Sequence, residues 1–146
     1  MRRRLGRRGG FLVAWGILFV LYGVGLFVQP LPEAPHATFL LHEMIPPPIR
    51  AVLWVVSGLV ALRYALARNP ARDIPGYLAL GAMPCVRMAS YAVAWVVHLA
   101  LGGSYGDPRG WVSTVFYAVF VATVVLVAGW AERPPAVNVG AEDEAP

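Results

Sequence analysis

Arg87 sits inside an apolar run from Gly76 to Leu101, and its guanidinium is the sharpest chemical feature of the chain. A charged side chain near the middle of a bilayer costs about 2.5 kcal/mol or more, so it faces protein or water rather than lipid. At about 100° per residue, Ser90, Tyr91, Ala94 and His98 return to nearly the same helical face as Arg87. Together they form one polar stripe, expected to face the interior of a helical bundle. Such a stripe serves either as the lining of an aqueous path or oligomer contact, or as structural packing in which Arg87 bonds carbonyls released by Pro84.

The remaining reactive residue types do not converge. Cys85 is the single cysteine, so no intrachain disulfide forms, and thirteen helical residues place it about 20 Å from His98 and on another face. It reads as an inert packing residue. His36, His42 and Glu43 share one loop but lack the HExxH spacing that sets two imidazoles on one helical face, so a solvated loop is expected and no metal. Glu33, Glu43 and Asp107 are too scattered to work as an acid and base pair. No enzyme and no cofactor is expected. Ser113, Thr114 and Tyr117 can hydrogen-bond across a helix interface, with the Arg87 stripe as one partner, and packing is their default reading. Gly16, Gly23 and Gly25 do not make GxxxG, although small residues in this segment permit close helix approach.

The elements that position these residues follow from composition. With 58% hydrophobic and 14% charged residues in 146, the chain has too little polar surface to enclose a soluble core. Its apolar stretches instead approach the roughly 20 residues that a helix needs to cross lipid. Four spans are expected, at residues 11–28, 51–67, 76–101 and 111–130, within one membrane domain covering 11–130. The fold class is therefore an all-α polytopic transmembrane bundle, since spans this long and few cannot close a barrel. The first segment reads as a span rather than a secretory signal, because it exceeds a signal core of about 7–15 residues and has a weak cleavage site. The second is weakened by Arg63, which must snorkel to the nearby surface. Pro46, Pro47 and Pro48 close the preceding loop and stop any helix from continuing, with a short interfacial turn expected between His36 and Ile45. In the third, a dip of Gly76 to Val86 into the bilayer and back is an alternative to a full crossing. The tail, 131–146, carries Pro134, Pro135, Glu142, Asp143 and Glu144 and is expected to be disordered.

Orientation follows from the arginines, which supply all twelve cations. Arg2, Arg3, Arg4, Arg7 and Arg8 begin the chain, and Arg63, Arg68, Arg72 and Arg133 fall on the same side, against Arg50 and Arg109 on the other. The positive-inside bias puts both termini in the cytoplasm of a cell whose inner membrane the chain crosses. The formal charge of +4 is therefore a topology signal with lipid headgroups as its partner, and nucleic acid is not expected. Trp15, Trp54, Trp111, Trp130, Tyr77 and Tyr105 fall near expected span ends, where amphipathic rings favour the headgroup zone.

The four-span layout, the basic start, the Arg-only cation set and the acidic run Glu142 to Glu144 resemble small membrane proteins encoded by bacteriophages of high-GC Gram-positive hosts. Some proteins of that kind, beside lysis genes, are regarded as holins, which assemble and permeabilise the inner membrane. The resemblance covers the chain as a pattern and carries over no residue. It implies a non-enzymatic protein acting by self-association in lipid. The other readings are an accessory or anchor that recruits another protein through its tail or outer loop, and a small-solute transporter with Arg87 as an anion site, which lacks visible repeats.

Overall fold

The computed structural model describes residues 6–29, 45–66, 73–101 and 106–130, and within them the chain is helical, with no strand. Four helices follow in order: α1, Arg7–Val28; α2, Pro47–Ala65; α3, Ile74–Leu101; and α4, Gly110–Ala128. Their 22, 19, 28 and 19 residues rise about 33, 28, 42 and 28 Å, against a hydrocarbon core of about 30 Å. All four are long and apolar enough to cross a membrane. Arg2, Arg3, Arg4, the loop residues His36, His42 and Glu43, the turn expected there, Tyr105 and the acidic tail lie outside the described residues.

One sequence expectation is corrected and one alternative is set aside. The proline run does not hold off the second helix but opens it, with Pro47 and Pro48 in the first turn, where a missing N–H costs no helical bond. The helix therefore begins at Pro47 rather than at Ala51. The third segment does not re-enter, because α3 runs unbroken through Pro84 from Ile74 to Leu101. A proline there removes one backbone bond, and the surrounding turns maintain the helix.

α1 and α2 form a closely packed antiparallel hairpin, and its closeness comes from glycine. A Cβ on Gly16 would lie 2.9 Å from Leu62 Cγ and 3.0 Å from the Gly58 carbonyl oxygen; one on Gly58 would meet the Gly16 carbonyl oxygen at 2.6 Å. Gly23 lies equally close to Ala51 and Val55. Gly16 and Gly23, seven apart, thus oppose Gly58 and Ala51, also seven apart, so small residues meet at two successive levels. Gly58→Val should lower stability by about 1–3 kcal/mol through overpacking, read as a fall in thermal midpoint in detergent micelles. Gly25→Val, facing open space, is the control, and equal losses at both sites would remove the close-packing argument.

α3 and α4 make the second hairpin. Tyr91 stacks on Tyr117 with ring centroids 5.9 Å apart, and Gly110 lies under the Tyr91 carbonyl and Trp95. The connection returns onto α3 at Gly106, whose φ of 78° and proximity to the Ala94 carbonyl both exclude a Cβ. The next residue, Asp107, donates its N–H to that carbonyl at 3.2 Å.

The hairpins meet along a seam. Gly76 of α3 packs on Tyr64 of α2 and Leu12 of α1, while Phe120 of α4 reaches Trp15 and Phe19 of α1 with centroids 4.5 and 5.9 Å apart. Leu12, Phe19, Leu80, Met83, Val124 and Val127 fill the centre. Trp54, expected in the headgroup zone, is instead buried and set edge-on against Phe19 and Tyr22, because α2 starts earlier and carries Trp54 deeper. Trp111 and Trp130, by contrast, are exposed at the two ends of α4.

Candidate functional site

The residues of the polar stripe separate along α3. Arg87 and Ser90 are each 4% exposed and Ala94 is also buried, so these three face the interior. The Ser90 hydroxyl donates to the Val86 carbonyl at 2.8 Å, within its own helix. Tyr91 is half-buried and turned to α4 by its stack on Tyr117. His98 is half-buried too, against the backbone of Gly106. Its different setting follows from length: twenty-two residues above Gly76 is about 33 Å, beyond the Pro47 end of the shorter α2. Among the described residues, Gly106 of the α3–α4 connection packs against His98. Thr114 donates to the Gly110 carbonyl at 2.8 Å rather than across the interface.

Arg50 is the residue that sequence reading assigned to the outer surface and that the fold buries, at 5% exposure. Opening α2 at Pro47 draws Arg50 into the first turn of the span. The signal lay in spacing, since Arg50, Trp54, Gly58 and Ala61 recur at helical intervals and all are buried. Helix geometry relates Arg50 to Arg87 through the Tyr64–Gly76 contact. From Gly76 to Arg87 is eleven residues, about 16 Å along α3 and about 20° from the face that meets α2. From Tyr64 back to Arg50 is fourteen residues, about 21 Å along α2 and about 40° from the face that meets α3. The helices are antiparallel, so both distances run the same way from the shared contact. Helix register therefore turns both arginines toward the seam within about one helical turn of height, with Arg50 in the first turn of α2. No Asp or Glu occurs in any of the four helices.

A second cluster closes the seam at the other end. Arg8 Nη2 lies 2.9 Å from Asp73 Oδ1, with side chains 16% and 8% exposed. The Arg8 Nη1 group donates to the Trp130 carbonyl at 3.3 Å, the Tyr77 hydroxyl donates to the Arg8 carbonyl at 3.1 Å, and the guanidinium carbon sits 5.5 Å from the Tyr77 ring centroid. One arginine thus ties the start of α1 to the start of α3 and the end of α4. Composition marked Arg8 only as part of a basic run. Its partner follows from Asp73 being the acid that directly precedes α3, where a carboxylate also complements the positive helix terminus. Arg7, next to it, is exposed.

Among the described residues no three of His, Cys, Asp and Glu gather as metal ligands. Cys85 is half-buried and free. Comparison with protein-family models, with curated proteins and with solved structures finds no match. Fold and composition define the chain as a four-span helical membrane protein whose buried charge lies between two hairpins.

Proposed function

We propose that this protein is a non-enzymatic, holin-like permeabilising protein of the bacterial inner membrane, acting when copies associate after its two hairpins part along the seam. The observation that supports this reading is where the polar residues lie. Arg50, Arg87 and Ser90 are buried and not on a lipid-facing surface, and helix register turns the two arginines toward the seam. While the seam is closed, each copy is a compact lipid-soluble bundle. Once it opens, a charged face needs water or another copy, since bare exposure to lipid is costly. Each hairpin stays intact during this change, because the glycine contacts of α1 with α2 and the Tyr91–Tyr117 stack lie inside hairpins.

Controlled expression in a bacterium tests the reading, following membrane potential and dye entry with and without a co-expressed cytoplasmic endolysin. Abrupt depolarisation followed by endolysin-dependent lysis is the expected result. An intact potential at high, verified membrane abundance would overturn it. A second reading is favoured by the same burial: a closed bundle holds its charges within one copy and so suits a membrane-embedded anchor for another protein. That reading expects a stable monomer, an intact potential and partner capture that is lost on deleting residues 137–146.

A further inference from the structure

We infer that α3 is hinged at Gly81 and Pro84, so that its C-terminal segment swings away from α2 and carries Arg87 and Ser90 with it. This goes beyond permeabilisation and stands independently of it, because the Gly76–Tyr64 contact lies before the hinge and stays closed. Pro84 cannot donate to the Leu80 carbonyl, and its ring presses on that same oxygen. Both residues are fully buried, so the weakened turn lies on the interior face of α3. A helix wedged open on one face bends toward the other, here outward from the bundle. Gly81, one turn earlier, adds freedom rather than fit. A Cβ there would meet nothing within 4 Å, whereas Gly16, Gly58 and Gly76 are each pressed by a neighbouring helix. A glycine that no packing demands only loosens a helix interior.

The contacts of α3 divide at the same place. Before Pro84, Gly76 packs on Tyr64 and Leu12, the Tyr77 hydroxyl donates to the Arg8 carbonyl, and the Tyr77 ring centroid lies 6.2 Å from that of Phe11. These contacts fix the N-terminal segment to α1 and α2. After Pro84, Tyr91 stacks on Tyr117, and Ala94, Trp95 and His98 meet Gly106 and Gly110. The C-terminal segment and α4 therefore move together, and the contacts that yield are those of Phe120 with Trp15 and Phe19. Length adds a reason to bend. A straight α3 of about 42 Å keeps its whole length within a core of about 30 Å only at a tilt of about 45°, beyond the usual range of about 0–40°.

The test uses the full chain in phosphatidylcholine nanodiscs, with nitroxide pairs on exposed positions in a Cys85→Ala background and distance distributions read by pulsed electron spin resonance. Val52→Cys with Val96→Cys reports across the hinge, and Leu59→Cys with Leu78→Cys reports before it. Val96 is about 18 Å beyond Pro84, so a bend of about 20° moves it by about 6 Å. The first distribution should therefore be broader than the second by about 6 Å. Pro84→Ala, which restores the missing donor, should narrow the first to the width of the second and leave the second unchanged. Gly81→Ala, which fills open space and touches no neighbouring helix, should narrow the first as well. Equal widths for the two pairs in the parent chain would overturn the inference. So would a first distribution that stays broad in Gly81→Ala, a variant whose packing is that of the parent.

Discussion

A disulfide across the seam should abolish permeabilisation, and reductant should restore it. Tyr64→Cys with Gly76→Cys, in a Cys85→Ala background, places the new sulfurs where a Cβ built on Gly76 lies 3.0 Å from the Tyr64 Cβ. A disulfide spans about 3.5–4.5 Å between Cβ atoms, so closure needs a shift of about half an ångström. The two cysteines come from opposite hairpins, and the bond converts their contact from separable to covalent. If lesions form by parting of the hairpins, oxidised cells should keep their membrane potential at an abundance where reduced cells lose it. The control bridges one hairpin internally: Trp95→Cys with Gly110→Cys, where the Cβ separation is 3.1 Å. That bond leaves the seam free and should leave activity intact. Wild-type depolarisation from the fully oxidised seam variant would show that the bundle acts closed, and the opening mechanism would fall.

Asp73→Ala should be the most destabilising single change at the Arg8 end of the seam, by about 3 kcal/mol, read from unfolding of the purified protein in mixed micelles. The magnitude comes from stranding Arg8, since removing one member of a largely buried pair leaves an uncompensated charge costing about 3–5 kcal/mol. The low end applies because Arg8 remains partly exposed and keeps its bond to the Trp130 carbonyl. Arg8→Gln should cost less, because the Tyr77 hydroxyl donates to the backbone of Arg8 and survives the change. Combining Arg8→Gln with Asp73→Asn should recover part of the loss, because neither charge is then left alone. A strictly additive double variant would mean that the 2.9 Å contact contributes nothing as a pair. Under the permeabilising reading the single variant should also depolarise earlier, since Arg8 joins both hairpins.

The two clusters differ in how they could be anticipated. Arg87 is visible in the sequence because a lone charge in an apolar run needs no partner to be noticed. Arg50 is hidden because its depth depends on where α2 begins, and a run of three prolines can end one element or open the next. Arg8 is hidden differently. It belongs to a basic cluster whose collective meaning is orientation, while its particular meaning depends on Asp73, sixty-five residues away. Tyr91 and Trp54 show the same limit, since helical spacing gives their direction but not the element they meet. Tyr91 finds Tyr117, and Trp54 finds Phe19 and Tyr22.

The sequence by itself determined that the chain is all-helical and has four segments able to cross a membrane. Those are properties of contiguous residues: lipid leaves each backbone group no partner outside its own helix, so apolar length suffices to identify a span. Only the tertiary structure decided which faces oppose each other, and with that the pairing of α1 with α2, the burial of Arg50, and the capture of Arg8 by Asp73. The physical reason is that rotation and height between helices in lipid are set by side-chain volume at a few crossing points, where no difference in hydropathy distinguishes one apolar face from another. Gly16 against Gly58, and Tyr64 against Gly76, set the crossings here.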